Sequence, residues 1–353
     1  GKYFVGTQNF QLVDSTRSMW FTDDIKSFRT LSVKMWYPAD ENSLSERAPY
    51  VDQYELIAKA LSTSLGVPEA LMSRAGAVKC NSWLNTDISI GNFPIVIYSH
   101  GHQSLKIANT FQAEEIASNG YIVIAPDHTY DAALTIINED KIIYTRSKLP
   151  NSDEEAEDSE MIKRVKEQLN IRVEDISFVI DKMIEKFSKD KQFNQSADFD
   201  NIGIFGHSFG GCTAIMAANN DNRIDAILGL DAYFLPLPNY IIDKDINKPF
   251  VHLGQTSWGD SNNYELMKIW GSNNNQNSFH FSVEGSKHND FTDFSQFTKL
   301  TRKFGSGKVP RKIMRNIMND VMLQFFNYHL KSIDNFDANQ FENKYERVKT
   351  YVH

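Results

Sequence analysis

A serine stands at the centre of the segment 201–211, which reads NIGIFGHSFGG. An apolar run precedes it and small residues at helical spacing follow it, so the segment predicts a strand, a sharp turn and a helix. A nucleophile in such a turn needs glycine on both sides, because a Cβ there would crowd the backbone. Gly206 and Gly210 occupy those positions. The sequence therefore predicts Ser208 as a catalytic nucleophile rather than an incidental serine in a glycine-rich turn.

The acid that such a serine needs is expected further along the chain. A serine hydroxyl attacks a carbonyl only when a base removes its proton and a carboxylate orients that base. On a strand–turn–helix site, the acid and then the histidine follow the serine. Asp231, directly after the predicted strand 226–230, is the predicted acid. Asp260, beyond the next strand, is the main alternative, whereas Asp243 and Asp245 lie in a polar loop that is expected to be solvated.

The predicted base is His288. It is the only histidine in a loop after the last predicted core strand, residues 279–283. His252 and His280 lie inside predicted strands, where a histidine is expected to be packed or hydrogen-bonded within the core. The order serine, aspartate, histidine is thus complete, and it indicates acyl transfer through a covalent intermediate.

Negative charge on the tetrahedral intermediate requires two backbone N–H donors. The residue after the nucleophile, Phe209, is predicted to supply one. The loop after the apolar run 93–99 reads Ser-His-Gly-His-Gln and is predicted to supply the other from His102. The side chain of His100 is expected to brace this loop.

The same loop permits a second interpretation as a metal site. His100 and His102, with Asp127 and His128, resemble part of a metallohydrolase ligand set. No Asp-His pair follows His102 and no cysteine is near, so the set is incomplete. The sequence therefore predicts neither a metal nor another cofactor.

The surrounding pattern is that of an α/β protein. Apolar runs 93–99 and 121–125 flank an amphipathic stretch, 104–119, which predicts a βαβ unit and a mostly parallel sheet flanked by helices. Residues 30–37 alternate in polarity and stop at a proline, as an edge or antiparallel strand does, and the N-terminal strands are expected to be antiparallel. We expect one domain over 1–353, with a helical insert at about 51–77 that either forms part of a lid or packs on the sheet.

Composition excludes some classes of function. The 353 residues carry a net charge of −8 without a dominant basic patch, which argues against nucleic acid as a partner. No apolar run approaches the ~18 residues of a membrane span. The two cysteines indicate no redox compartment, and nothing indicates an oligomeric state. Because the sequence starts Gly-Lys-Tyr, a removed signal peptide would be invisible, and a secreted or periplasmic location is slightly favoured over a cytoplasmic one.

The ordered motifs resemble the platelet-activating factor acetylhydrolases of the plasma type (lipoprotein-associated phospholipase A2) and their bacterial relatives, within the α/β-hydrolase superfamily. The motifs are Trp36-Tyr37-Pro38, Ser99-His100-Gly101, the glycine-rich segment 206–211, Leu230-Asp231-Ala232 and the histidine segment 288–294. The resemblance implies an α/β-hydrolase fold and a catalytic triad of Ser208, Asp231 and His288. It also implies oxyanion donation by Phe209 and His102, with no metal requirement.

The expected activity follows from that resemblance. It is phospholipase A2-type hydrolysis of short or oxidised acyl esters of phospholipids. A broad short-chain carboxylesterase or polyester hydrolase is the alternative, and a non-catalytic binding module is a remote one. Mammalian members carry a small apolar pair where this chain has His102-Gln103, which predicts a more polar pocket wall. Helix 51–65 either contacts a lipid surface or packs on the core. Residues expected to border the mouth are Phe234, Leu235, Leu237, Tyr240, Trp258 and Phe291.

Overall fold

The computed structural model describes residues 1–21, 27–72, 78–138, 141–150, 159–258, 262–274, 278–333 and 335–352. The strands are β1 (Phe4–Ser18), β2 (Phe28–Ala39), β3 (Arg47–Pro49), β4 (Lys79–Leu84), β5 (Phe93–Ser99), β6 (Ile122–Asp127), β7 (Leu134–Asn138), β8 (Lys141–Tyr144), β9 (Ala197–His207), β10 (Ile224–Leu230), β11 (Phe250–Gly254), β12 (Ser278–Val283) and β13 (Val348–Val352).

The α-helices are α1 (Tyr54–Leu65), α2 (Glu69–Met72), α3 (Thr110–Ser118), α4 (Ser159–Ser188), α5 (Lys191–Ser196), α6 (Phe209–Asn220), α7 (Asn239–Ile242), α8 (Asn263–Asn273), α9 (Phe294–Phe297), α10 (Arg311–Lys331) and α11 (Asn339–Lys344). Short 3₁₀ helices span Glu41–Ser43, His288–Phe291 and Lys299–Phe304.

One large sheet organises the described part of the chain. Its order is β13-β12-β11-β10-β9-β5-β6-β2-β1-β4-β3, and β7 and β8 pair separately. The six neighbouring strands from β12 to β6 are parallel. The strand β2 is antiparallel to both β1 and β6. The predicted fold class is confirmed; β2 is antiparallel as predicted, but it lies inside the sheet and is not an edge strand.

Both faces of the sheet are covered by helices. Apolar side chains of α4, α6 and α8 pack on one face, and those of α3 and α10 pack on the other. All seven residues of β5 are buried, which explains its continuous apolar sequence. A strand covered on one face would instead alternate between apolar and polar residues.

The register of the parallel strands sets the position of the site. Ser99 at the end of β5 pairs with Gly206 of β9, and His207 pairs with Leu230 at the end of β10. Leu230 also pairs with Leu253 of β11. The strands β5, β9, β10 and β11 therefore end at one edge, so the loops that follow them converge there.

The helical insert predicted at about 51–77 is present as α1 and α2, while residues 73–77 lie outside the described residues. Its apolar side chains form small clusters with residues such as Phe294 and Phe297. Among the described helices, none is long and apolar enough to cross a membrane.

Candidate active site

Ser208 lies in the sharp turn between β9 and α6. Its backbone has φ 55° and ψ −121°, an unfavourable conformation for a residue with a side chain. A Cβ on Gly206 would stand 2.1 Å from the Gly210 carbonyl oxygen, and one on Gly210 would stand 2.0 Å from the Ser99 carbonyl oxygen. Glycine at both positions is thus required by close backbone contacts, as the sequence predicted.

Asp231 follows β10 directly, at the same edge of the sheet. Its backbone is left-handed, with φ 45°, and its side chain is fully buried. Oδ2 lies 2.6 Å from Nδ1 of His288, and Oδ1 accepts a 2.5 Å hydrogen bond from the Tyr264 hydroxyl. Gln255 donates to the two oxygens from its backbone N–H at 3.1 Å and its Nε2 at 3.0 Å. Burial alone would raise the pKa of Asp231, but the hydrogen bond and charge of His288 hold this pKa below its usual value.

His288 begins the 3₁₀ turn after β12. With Nδ1 bound to Asp231, its other ring nitrogen, Nε2, is left for a partner at the site, and His288 and Ser208 line the same cavity. The structure therefore brings the three predicted triad residues together.

The other candidate residues lie elsewhere. Nδ1 of His252 lies 2.8 Å from Nδ1 of His280, and Nε2 of His252 accepts the Ala232 N–H, so both are hydrogen-bonded inside the sheet. Asp243 and Asp245 are exposed. Asp260 lies outside the described residues.

Of the two predicted oxyanion donors, Phe209 follows the nucleophile directly and His102 lines the same cavity as Ser208. Phe209 is the first residue of α6, whose N-terminal N–H groups have no partner within the helix. His102 lies in a turn from Gly101 to Ser104, which is closed by a 3.1 Å hydrogen bond from the Ser104 N–H to the Gly101 carbonyl. Among the described residues, neither the Phe209 N–H nor the His102 N–H donates a hydrogen bond.

A buried polar network fixes the loop before this turn. His100 uses both ring nitrogens, since Nδ1 contacts the Gly101 carbonyl oxygen at 2.7 Å and Nε2 accepts the His128 N–H at 3.0 Å. It braces the loop, as predicted, and its nitrogens are occupied. Elsewhere too, the described part of the chain groups no three His, Cys, Asp or Glu side chains in a way suited to a metal ion.

Arg172 of α4 joins this loop to the nucleophile helix. Its guanidinium donates to the His100 carbonyl and at 2.9 Å to the Thr213 hydroxyl of α6, and it stacks 4.8 Å from the Phe209 ring centroid. Its charge is balanced by Asp131, whose Oδ1 lies 2.7 Å away. Arg172 therefore contacts the elements that carry both predicted oxyanion donors.

A cavity of about 230 Å³ opens beside Ser208. Its apolar wall comes from the insert and the histidine loop: Leu61 and Leu65 of α1, Met72 of α2, and Phe294 and Phe297 of α9. The prediction for the mouth was wrong in large part. None of the six residues lines this cavity; Phe234, Leu237 and Phe291 are buried in the sheet cores. Trp258 does contact the site, with its ring centroid 4.9 Å from that of His288.

Several residues of the site were missed at the level of sequence. Tyr264 and Gln255 contact Asp231 from 33 and 24 positions away, so no local pattern reveals them. Arg172 did leave a signal. It lies on the buried face of α4 together with Leu169 and Ile176, and a charged residue on an apolar stripe indicates a specific buried partner.

Comparisons with known proteins agree with the geometry. The family model described as platelet-activating factor acetylhydrolase, isoform II, matches residues 1–350. The platelet-activating factor acetylhydrolase of Canis lupus familiaris is 26% identical over 330 residues, covering 87% of this chain and 74% of the relative. That of Gallus gallus is 24% identical over 341 residues, covering 86% and 79%.

A fungal relative and a solved structure are also similar. The probable 1-alkyl-2-acetylglycerophosphocholine esterase of Arthroderma benhamiae is 23% identical over 214 residues, covering 57% of this chain and 49% of the relative. The ferulic acid esterase from Streptomyces cinnamoneus superposes with a TM-score of 0.78 at 24% identity, covering 99% of this chain and 97% of that one, which shows a shared fold. With a family match over nearly its whole length, this chain belongs to the platelet-activating factor acetylhydrolase family.

Proposed function

We propose that this enzyme hydrolyses short acyl esters of phospholipids, the acetyl ester first among them, with Ser208, His288 and Asp231 as its catalytic triad. The observation that carries the proposal is the hydrogen bond between His288 and the buried Asp231 beside the strained Ser208 turn. The names of the relatives, platelet-activating factor acetylhydrolase and 1-alkyl-2-acetylglycerophosphocholine esterase, give the substrate class.

The first half of the reaction forms an acyl-enzyme. Oγ of Ser208 attacks the ester carbonyl as Nε2 of His288 takes the hydroxyl proton. The carbonyl oxygen becomes an oxyanion and accepts hydrogen bonds from the N–H groups of Phe209 and His102. When this intermediate collapses, the carbon–oxygen bond of the ester breaks, and His288 gives its proton to the departing glycerol oxygen.

The second half returns the serine. Nε2 of His288 takes a proton from water, the hydroxide attacks the acyl carbon, and the same two amides stabilise the second oxyanion. Collapse breaks the bond to Oγ, which regains the proton from His288 and releases the carboxylic acid. Asp231 keeps Nδ1 of His288 protonated and stabilises the imidazolium, because its lowered pKa keeps the carboxylate charged.

We propose further that the whole chain acts as a single catalytic domain. The cavity beside Ser208 takes its wall from α1, α2 and α9 as well as from the loops of the sheet, so the insert is part of the site. Contact with a lipid surface stays a prediction. Tyr54 on α1 and Leu300 are exposed, and vesicle co-sedimentation with Tyr54→Ser and Leu300→Ser variants tests it.

Turnover with purified protein tests the activity. We expect release of acetate from a 2-acetyl phosphocholine ether lipid and labelling of Ser208 by a fluorophosphonate, both lost in Ser208→Ala. Labelling lost in Asp231→Asn and kept in Asp260→Asn would support the assigned acid, and the reverse would move the acid to Asp260. An enzyme that hydrolyses p-nitrophenyl acetate but does not hydrolyse the phospholipid would be a general short-chain esterase. No labelling of the wild type would overturn the esterase assignment.

A further inference from the structure

A side-chain hydrogen bond joins the turn from Gly101 to Ser104, here named the oxyanion turn, to helix α1, here named the cap helix. The hydroxyl of Ser64, in the last turn of α1, donates a 2.7 Å hydrogen bond to the carbonyl oxygen of Gln103. Both residues line the cavity beside Ser208. Other hydrogen bonds join this turn to the segment 131–147: the Gln103 N–H donates to the Asp131 carbonyl at 3.1 Å, its Nε2 donates to the Ser147 carbonyl at 3.2 Å, and the Ala133 N–H donates to the Ser104 carbonyl at 2.9 Å.

The backbone conformation of Gln103 explains why this turn needs anchors. Its φ is 51°, in the left-handed region that glycine or asparagine favours at the third position of a turn. A residue with a longer side chain adopts it at a cost of about 1–2 kcal/mol. Nε2 of the Gln103 side-chain amide donates to the Ser147 carbonyl, and both His102 and Gln103 line the cavity.

Two peptide groups connect Ser64 to the His102 amide. The carbonyl of Gln103 shares a planar peptide group with the N–H of Ser104, which donates to the Gly101 carbonyl at 3.1 Å. The Gly101 carbonyl in turn shares a peptide group with the N–H of His102. No peptide bond in the described chain is cis, so in each group the N–H points opposite to the carbonyl.

Resting on the proposed function, we infer that Ser64 is a positioning residue for the oxyanion hole. A chain of hydrogen bonds starts at its hydroxyl, passes through the peptide groups 103–104 and 101–102, and ends at the His102 N–H that faces the oxyanion. Each bond in such a chain orients and polarises the next. The cap helix α1 thereby orients one oxyanion donor, in addition to forming part of the cavity wall.

The test compares Ser64→Ala with a matched neighbour. Thr63 is exposed, and within the described part of the chain its hydroxyl bonds only to the Lys59 carbonyl of its own helix, so Thr63→Ala is the control. Alanine is favourable in a helix, so both variants are expected to fold. The substrate is p-nitrophenyl acetate, whose acyl group is too small to need the cavity wall. Ser64→Ala is expected to lower kcat about three- to tenfold. Removing an entire oxyanion donor lowers kcat by a factor of about 10²–10³, and here the donor is only held less firmly.

Three readouts distinguish positioning from a structural role. In Ser64→Ala, KM is expected to stay within about twofold of the wild-type value. The Ki of a trifluoromethyl ketone, which forms a tetrahedral adduct, is expected to rise by the same factor as kcat/KM falls. Ser64→Thr, which keeps the hydroxyl, is expected to restore kcat. The inference is overturned if Ser64→Ala and Thr63→Ala have the same kcat, or if the loss lies in KM alone. A wild type that leaves every ester intact overturns the proposed function, whereas an active wild type with an unaffected Ser64→Ala overturns only this inference.

Discussion

The imidazole of His207 packs against that of His288, with ring centroids 4.5 Å apart, and its Nε2 donates a 3.2 Å hydrogen bond to the His288 carbonyl oxygen. The residue before the nucleophile thus holds the base in place. Burial, together with the charge on His288, lowers the pKa of His207 to about 3, so this ring stays neutral while His288 gains its proton.

Replacing His207 with phenylalanine keeps a flat ring and removes the hydrogen bond. One such bond contributes about 1 kcal/mol, so we expect kcat to fall about fivefold, with a larger fall in His207→Ala, which also removes the packing. Steady-state kinetics measures this. His329→Phe serves as the control, since that partly buried ring packs against Phe325 of its own helix, α10, and does not line the cavity. A His207→Phe enzyme with wild-type kcat would show that the bond is dispensable.

Tyr264→Phe removes one of the donors to Asp231. The hydroxyl of Tyr264 helps to lower the pKa of Asp231, so its loss lets that pKa rise. The carboxylate then takes up a proton at higher pH, and we expect activity to be lost earlier as the pH falls, with a lower kcat at neutral pH. A pH–rate profile measures the shift. Tyr240→Phe, at an exposed tyrosine, is the comparison, and superimposable profiles for Tyr264→Phe and wild type would contradict the prediction.

Thr213→Val tests the link between Arg172 and the nucleophile helix. Valine has nearly the same shape, but it leaves Nε of the buried Arg172 without its 2.9 Å acceptor. An unsatisfied buried donor costs about 1–3 kcal/mol, so we expect the free energy of unfolding in urea to fall by that amount and kcat to fall with it. Thr63→Val, at an exposed threonine whose hydroxyl bonds to the Lys59 carbonyl of its own helix, should change stability by less than about 0.5 kcal/mol. Equal stabilities for the two variants would speak against the link.

Acid should destabilise the fold through its buried histidines. Burial lowers the pKa of His128 to about 4, below the 6.5 of an exposed histidine. Above pH 6.5 neither the folded nor the unfolded state binds this proton; below it the unfolded chain does so first, and unfolding becomes easier down to about pH 4. His128 alone is expected to remove about 3 kcal/mol of stability over that window. Burial raises the pKa of Asp293, so this group contributes a gain in stability as the pH falls, opposite to the effect of His128.

Thermal unfolding between pH 7 and pH 4.5 checks this prediction. The midpoint should fall steeply below pH 6.5. A midpoint that stays level across the window would contradict the prediction.

The sequence was sufficient for the parts of the site that are local or ordered along the chain. The Ser208 turn was predictable because its glycines are adjacent to it, and Asp231 and His288 because each follows a strand of the parallel sheet. The cavity wall was not predictable. Phe234 and Leu61 are equally apolar, yet one packs in the core and the other faces the cavity, and only tertiary packing decides between them. The C-terminal strand β13 was missed as well, since five residues of mixed polarity carry little signal.

The division of the apolar side chains has a consequence for how this enzyme can diversify. The sheet that carries Ser208 and Asp231 packs against two large cores, one on each face, whereas Leu61 and Leu65 of α1 and Phe297 of α9 pack in small separate clusters. Substitutions distant from one another act nearly independently on stability. Mutations at the apolar positions of α1, α2 and α9 can therefore accumulate and alter which acyl group is accepted, while Ser208 and Asp231 keep their arrangement. If the enzyme were selected for a new ester, we would expect substitutions to be concentrated in α1, α2 and α9 and to be rare in the strands of the sheet.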